Sequence, residues 1–354
     1  CGSADLFATE PGRGAPASIN FVSCHDGFTL TDLTRYRSKH NEANGENNND
    51  GSSVNHSANF GVEGVTDDPD VIAAREQAAM NMIGMLLLSL GTPMMLAGDE
   101  FRNTQDGNNN AYCQDNDITW LKWDWMYSTN KTREMRRLET VSRLVALRKS
   151  LDLYHHEDFF TRLTQLGLLK PSSRVQWFLP DGTTPMERDW FDLGVRSFTM
   201  RLLSNSEVDV CIVVNGTADD RTFRLPPDTH WTPKWCSAEI NGRRAGHGTQ
   251  VEECDLNGDT TVWTQHVPDA SETVLKMVKE VAMQRTESST ENEADTIKFA
   301  MPVTDHAANG TSSAPRDEVS ADMPDAPVDD TPDTPVDDNV WTMPALSITL
   351  MKQV

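Results

Sequence analysis

The sequence predicts an α/β unit with parallel strands, followed by an antiparallel β-sandwich that a long acidic insertion interrupts. Three observations support this fold class. Up to about residue 150, short apolar runs that end in carboxylates alternate with helical patterns, which is typical of a parallel sheet. Beyond about residue 155, β-rich runs are separated by Gly, Pro, Asn and Asp turns, as in a sandwich. An acidic, Pro-rich stretch then breaks this pattern before a last apolar segment.

The first element is the segment "INFVSCHDGFTL", residues 19–30. Its apolar start predicts a buried strand over residues 19–22, and the strand ends in His25, Asp26 and Gly27. A carboxylate beside a neutral imidazole suits hydroxyl recognition and charge stabilisation, and a glycine lets the backbone turn close to a ligand. From these residues alone, a binding site and a purely structural strand cap both remain open.

Two helices and a second strand follow. Acidic residues and Pro69 open a predicted helix over residues 66–90, whose second half is apolar on nearly all sides and should be buried. The run "MMLAGDEF" predicts another strand, with a carboxylate tip at Asp99 and Glu100. Both carboxylate tips should face one site, because parallel strands of a βα barrel end on the same side. A helix over residues 132–153 carries an apolar stripe at helical spacing: Leu138, Val141, Leu144 and Leu147.

The C-terminal half divides by composition. Four runs predict sandwich strands: "VQWFL", "VRSFTMRLL", "DVCIVVN" and "RTFRLP". Residues 268–339 contain 17 Asp and Glu against 5 Lys and Arg, so this insertion is predicted to be disordered, with a possible short helix at "SETVLKMVKEVAMQ". The predicted domains are residues 1–152 (the α/β unit), 153–267 (the sandwich), 268–339 (the insertion) and 340–354 (a returning final strand).

Charge and composition exclude several classes of partner. The chain has 354 residues and a formal net charge of -23, which argues against nucleic acid or an anionic membrane. No uninterrupted apolar run reaches the roughly 18 residues of a membrane span. No secretory signal is apparent, and the six scattered cysteines lack zinc or redox spacing. We therefore expect free thiols, a cytoplasmic location, no metal and no cofactor.

Several longer motifs carry a family resemblance. "SINFVSCHDGFTLTDLTRYRSKHNEANGENNNDG", "LLLSLGTPMMLAGDEF" and "TQDGNNNAYCQDNDITWLKWDW" closely resemble the isoamylase and glycogen debranching branch of the α-amylase family, glycoside hydrolase family 13. The resemblance is dense over about residues 1–150 and weaker through "VQWFLPDGTTP" into the sandwich. The loops "HNEANGENN" and "GNNNAYCQDN" are of the debranching type rather than general to the family.

The resemblance implies a (β/α)₈ TIM barrel that hydrolyses α-1,6 branch linkages of glycogen-like glucans with retention of configuration. Family members use a nucleophilic Asp after strand 4, an acid/base Glu after strand 5 and a further Asp after strand 7. That last region matches His25 and Asp26, so Asp26 would be catalytic and would hold hydroxyls of the distorted sugar, with His25 binding the same sugar. Gly27, Asp99 and Glu100 would support the site structurally.

The same resemblance suggests glucan contacts in two loops. Side-chain amides pair well with sugar hydroxyls, so Asn41, Asn44, Asn109 and Asn110 are candidate substrate-binding residues. Three tryptophans could stack on sugar rings or pack in the core: Trp120, Trp123 and Trp125. The expected partner is a branched α-glucan such as glycogen, amylopectin or a limit dextrin.

The sequence also departs from the family. We find no counterpart of the nucleophile strand or of the Glu-bearing strand 5, so we expect about strands 7–8 of the barrel only, the C-terminal portion of an enzyme and inactive alone. Residues 1–150 should fold poorly in isolation. A glucan-binding or accessory protein without hydrolysis is the alternative, and another α-amylase-family activity such as transglycosylation is a third. No loop shows calcium-ligand spacing.

Overall fold

A computed structural model describes seven stretches of the chain: residues 14–155, 173–204, 209–227, 230–247, 252–253, 339–344 and 347–353. The predicted acidic insertion, apart from its last residue, lies outside the described residues, as does the short helix predicted within it.

Three α-helices organise the N-terminal part: α1 (Leu30–Leu33), α2 (Pro69–Leu88) and α3 (Arg133–Ser150). Asp68 caps α2 by accepting a hydrogen bond from the backbone N–H of Asp70 at 2.9 Å. Pro69 fits the first turn because the missing N–H has no helical partner there. The stripe predicted on α3 is confirmed, since all four of its residues are buried.

Helix α2 is long and apolar enough, by length and composition alone, to cross a membrane, which the sequence analysis did not anticipate. In the structure 56% of that apolar window is buried within the chain. Arg75 and Glu76 in its second turn are buried, as are Ala79, Met80 and Ile83 further along. A helix that buries both its charged and its apolar side chains in this way packs inside a protein core.

Two short strands form the parallel pair that the sequence predicts. Strand β1 (Ile19–Asn20) lies parallel to β2 (Thr92–Pro93), and helices α1 and α2 lie between them in the chain. The backbone N–H of Met94 donates to the carbonyl of Asn20 at 2.8 Å. Both strands are shorter than predicted, and β2 ends before the "MMLAG" run.

The prediction that the first strand is buried was wrong. Ile19 and Phe21 are 61% and 54% exposed. Among the described residues β2 is the only strand paired with β1, so the other edge and part of one face are uncovered. A groove of about 510 Å³ runs between β1 and α2, lined in part by Phe21, Met82 and Met85.

The C-terminal part is an antiparallel arrangement, and all four predicted β-rich runs contain strands. Its strands are β3 (Ser173–Phe178), β4 (Ser197–Ser204), β5 (Val210–Asn215), β6 (Arg221–Arg224), β7 (Trp231–Cys236), β8 (Arg243–Arg244), β9 (Gly246–His247), β10 (Glu252–Glu253), β11 (Val340–Met343) and β12 (Ser347–Gln353). One sheet has the order β3-β4-β5-β12-β7, a second has β6-β11-β9, and β8 pairs with β10. The C-terminal strand β12 therefore lies between β5 and β7.

The five-stranded sheet is buried on both faces, as alternation along β5 shows. Val210 and Ile212 pack into a cluster with the helices α2 and α3. Cys211 and Val213 face the other way, into a cluster with residues of the three-stranded sheet. Side chains alternate along a strand, so one strand contributes to two cores.

The first core joins the helices to the sheet without interruption. It includes Ile83 and Leu87 of α2, Leu144 of α3 and Trp235 of β7. Gly84 permits this contact, because a Cβ on it would lie 2.7 Å from the indole ring of Trp235. The domain division predicted at residue 152 stays a prediction, and the described core continues across it.

Candidate functional site

His25 and Asp26 lie in an exposed turn after β1. The side chains are 86% and 80% exposed, and His25 Nε2 lies 3.4 Å from Asp26 Oδ2. Cys24 Sγ donates to the carbonyl of Asp26 at 3.2 Å, and Gly27 has φ of 95°, in the left-handed region that favours glycine. The turn thus presents an imidazole and a carboxylate side by side to the surroundings.

Three hydrogen bonds hold this turn from outside. Ser23 Oγ donates to Asp99 Oδ2, and the backbone N–H of Leu30 donates to Asp99 Oδ1 at 2.9 Å. The backbone N–H of Gly27 donates to the carbonyl of Asn109 at 2.9 Å. Asp99, which follows β2, therefore contacts the turn that follows β1. This contact agrees with the prediction that the two parallel strands end on the same side.

The two carboxyl groups after β2, those of Asp99 and Glu100, both have a raised pKa. Burial raises the pKa of Asp99 to about 6, despite the hydrogen bonds from Ser23 and Leu30. Burial also raises the pKa of Glu100, whose Oε2 accepts a hydrogen bond from the backbone N–H of Gly98 at 2.8 Å. Each carboxylate is engaged with neighbouring protein groups.

The two Asn-rich loops meet in one hydrogen-bonded cluster around Asp50. Asp50 Oδ2 accepts from the amide groups of Asn44 at 2.7 Å and Asn110 at 2.9 Å. The pKa of Asp50 is lowered, and the hydrogen bond from Asn44 contributes most to this effect. Asn44 also donates to the carbonyl of Asn110 at 2.9 Å. The amides that the sequence marks as candidate glucan contacts therefore bond largely to one another.

Asn41 and Asn109 form the buried centre of this cluster, at 0% and 3% exposure. Asn41 Nδ2 donates to Asn109 Oδ1 at 2.9 Å, and the backbone N–H of Asn109 donates to Asn41 Oδ1 at the same distance. A direct glucan contact by Asn41 would require it to leave these bonds. Asn44 and Asn110 are only partly buried, so a glucan could reach their side chains more easily. Direct glucan contact at these positions stays a prediction.

The three candidate tryptophans separate into two groups. Trp123 and Trp125 pack around Phe101, with ring centroids 4.8 and 5.3 Å from it. Trp120 is 56% exposed, and its Nε1 donates to Asp115 Oδ1 at 3.0 Å. Trp123 and Trp125 are thus partly buried against Phe101, while Trp120 keeps an accessible ring, and stacking on sugar stays a prediction.

Sequence reasoning missed a buried ionic network behind the turn. Glu76 accepts two hydrogen bonds of 2.8 Å from Arg137 Nη2, and Arg102 Nη1 lies 2.5 Å from Glu76 Oε1. Arg137 also donates to Thr31 Oγ1 at 3.2 Å and lies within 3.5 Å of the carbonyl of Asp99. The sequence did contain a signal for this network, because Glu76 of α2 and Arg137 of α3 are opposite charges on otherwise apolar helix faces. Within the described ranges, no group of three or more His, Cys, Asp or Glu side chains is arranged to hold a metal ion.

Curated relatives match between about a third and three quarters of the chain. A glycogen operon protein GlgX homolog of Mycobacterium bovis is 44% identical over 203 residues, 56% of this chain and 27% of the relative. The glycogen debranching enzyme of Pectobacterium atrosepticum is 38% identical over 256 residues, 72% of this chain and 36% of the relative. No family model matches the chain.

The chain is thus similar, over part of its length, to curated glycogen debranching enzymes and GlgX homologs, in agreement with the family resemblance of its motifs. The chain spans about a third of the length of the curated relatives it matches, namely 27%, 33% and 36% of three of them. Among solved structures, the catalytic module of the glycogen-degrading pneumococcal virulence factor SpuA is similar with a TM-score of 0.45 and 11% identity. That match covers 99% of this chain and 38% of the module.

Proposed function

We propose that this chain takes part in the hydrolysis of α-1,6 branch linkages in glycogen-like glucans, with retention of configuration. The observation that carries the proposal is the exposed pair of His25 and Asp26 in a chain whose relatives are named glycogen debranching enzymes. A barrel of the TIM type would complete the parallel pair β1 and β2, whose strand ends both point towards this turn.

In this proposal Asp26 is the residue that stabilises the transition state. Its carboxylate accepts hydrogen bonds from sugar hydroxyls, and these bonds strengthen as the ring flattens towards an oxocarbenium-like state. His25 donates to or accepts from the same sugar. Gly27, in its left-handed conformation, lets the backbone present both side chains from one tight turn.

Bond cleavage needs two further carboxylates. Retaining hydrolysis uses a nucleophile and an acid/base about 5–5.5 Å apart, on either side of the bond that breaks. Asp99 and Glu100 are the nearest carboxylates in the facing loop, but Asp99 bonds Ser23 and Leu30 and Glu100 bonds Gly98. We therefore assign these two a supporting position and expect the two reacting carboxylates to come from polypeptide outside the described residues.

The test uses the protein encoded by the complete reading frame that contains this chain. It is incubated with glycogen and with a branched maltodextrin, and new reducing ends are counted. Asp26→Asn should lower turnover by orders of magnitude, while the circular dichroism spectrum is retained. Asp67→Asn, which changes an exposed carboxylate at the start of α2, is the matched control and should leave turnover unchanged. Wild-type turnover in Asp26→Asn would remove Asp26 from the mechanism.

A glucan-binding role without hydrolysis is the second candidate. The observation that favours it is the engagement of both Asp99 and Glu100, which leaves Asp26 as the exposed carboxylate of the described turn. Co-sedimentation with glycogen distinguishes the two roles. Binding that depends on Asp26, without any release of reducing ends, supports this candidate and contradicts the hydrolase.

A further inference from the structure

The position of the exposed pair depends on groups outside its own turn. The 3.4 Å contact between His25 and Asp26 is the only one that either side chain makes with a polar side chain of the described residues. Their placement therefore follows from the backbone of the turn. That backbone is held at Ser23 and Leu30 by Asp99, and at Gly27 by the carbonyl of Asn109.

Asp99 is suited to fixing the turn, because its one carboxylate accepts hydrogen bonds from both ends of the turn. Its Oδ2 accepts from a residue two positions before His25, and its Oδ1 accepts from Leu30, four positions after Asp26. Asp99 is itself buried, at 2% exposure, so the two bonds are shielded from competing water.

Asn109 holds the middle of the turn and is itself fixed on several sides. Besides its reciprocal bonds with Asn41, its Nδ2 donates to the carbonyl of Ser52 at 2.8 Å and to Asn55 Oδ1 at 2.6 Å. Gly51 lets the loops approach this closely, because a Cβ there would lie 2.3 Å from Asn109 Oδ1. The carbonyl that accepts the Gly27 N–H thus belongs to a residue that is buried and hydrogen-bonded on several sides.

We propose that Asp99 and Asn109 are positioning residues that fix the His25–Asp26 turn, and that the Asn41–Asn109 centre is its scaffold rather than a glucan contact. The catalytic consequence rests on the proposed function, in which Asp26 must meet the distorted sugar. A displacement of about 1 Å of a positioned group can cost on the order of a hundredfold in rate.

The first test measures amide hydrogen exchange in the full chain. In Asp99→Ala the Gly27 amide should exchange on the order of tenfold faster, because the turn is released although the direct partner of Gly27 is Asn109. Asn109→Ala should give the same result. Asp99→Asn should retain protection, because its amide can still accept from Leu30 and can donate to the Ser23 hydroxyl.

Two internal references separate positioning from general loss of stability. The amide of Leu144, in the buried core of α3, reports global opening and should keep its protection in each variant. Glu100→Gln changes the neighbouring carboxylate, which bonds Gly98 and not the turn, and should leave Gly27 exchange unchanged. Equal acceleration at Gly27 and Leu144, or unchanged Gly27 exchange in Asp99→Ala and Asn109→Ala, would overturn the proposal.

The second test is kinetic and uses the complete reading frame with a branched maltodextrin. Asp99→Ala should lower kcat on the order of a hundredfold with little change in KM, and Asp99→Asn should restore most of the loss. A fall of both variants to the same level would contradict positioning by hydrogen bonds. If the wild type does not hydrolyse the substrate, the proposed function fails, while the exchange measurement still decides whether the turn is positioned in this way.

Discussion

Replacing Glu76 with Gln removes the buried negative charge that two buried arginines share. The side chains of Glu76, Arg137 and Arg102 are 9%, 1% and 8% exposed. Burial alone would raise the pKa of Glu76, but the charges of Arg137 and Arg102 outweigh it and lower the pKa below its ordinary value. The Arg102 contact is an ion pair without hydrogen-bond geometry, because its Nη1 makes no hydrogen bond despite the short distance. Glu76 is therefore ionised and is the counter-charge for both guanidinium groups.

Removing one partner of such a buried ion pair should strongly lower the free energy of unfolding. An amide at position 76 can still accept a hydrogen bond from Arg137, but Arg137 would lose its carboxylate partner and Arg102 would be left with the partly exposed Glu134, at a cost of about 3–5 kcal/mol. With a urea m-value of about 2 kcal/mol/M, the unfolding midpoint should fall by about 2 M. The exposed end of the same network gives a matched control. Glu134 is 32% exposed and lies 3.5 Å from Arg102 Nε, so Glu134→Gln should cost about 0–1 kcal/mol.

Urea unfolding of the full chain, followed by tryptophan fluorescence and circular dichroism, measures both variants. If Glu76→Gln does not fold, the triple variant Glu76→Leu, Arg102→Met, Arg137→Met supplies the second arm. It removes all three charges and should be clearly more stable than Glu76→Gln. A loss below about 1 kcal/mol in Glu76→Gln, equal to that of Glu134→Gln, would refute the reasoning.

Three further predictions concern packing and pH. Gly84→Ala should destabilise the chain by about 1–3 kcal/mol in thermal unfolding, because its Cβ would lie 2.7 Å from Trp235. Gly51→Ala should cost a similar amount, since φ is 70° and the Cβ would meet Asn109 Oδ1; unchanged unfolding in either variant would contradict the packing described. Burial opposes ionisation of Glu63, but hydrogen bonds from two backbone N–H groups outweigh it and lower its pKa to about 2. As pH falls, Glu63 takes up its proton at a higher pH in the unfolded chain than in the folded chain. The stabilisation is therefore present above about pH 4.5 and is lost as pH falls towards 2. In a plot of the urea unfolding midpoint against pH, Glu63→Gln should show a smaller slope over this range.

Local signals explain why part of the fold was predictable. The stripe on α3 and the proline-led start of α2 depend on residues a few positions apart, and both helices form within a few residues of the predicted bounds. The carboxylate positions Asp26 and Asp99 were likewise marked by local apolar runs, although the strands before them end earlier, at Asn20 and Pro93. Burial of β1 was predicted wrongly because exposure depends on which strands and helices cover it, and the apolar run itself carries no such information.

The ionic network shows what spacing reveals and what it does not. Glu76 lies four residues before Met80, and Arg137 lies four before Val141, so each charge occupies the buried face of its own helix. That spacing predicts that the charges need partners. It does not identify the partner, because Glu76 and Arg137 are 61 residues apart and only the packing of α2 against α3 brings them together.

The Asn-rich loops show the same limit for the candidate site. A side-chain amide donates and accepts hydrogen bonds, so it can bind a sugar hydroxyl or another amide with equal ease. In the described cluster Asn41 uses its donors on Asp50 and Asn109 and its acceptor on the Asn109 N–H, and it has no exposed surface left. Asp50 supplies a group that only accepts, which balances the excess of amide donors around it. The buried amides of Asn41 and Asn109, which the composition marks for sugar binding, are therefore satisfied within the protein, whereas the side chains of His25 and Asp26 stay exposed.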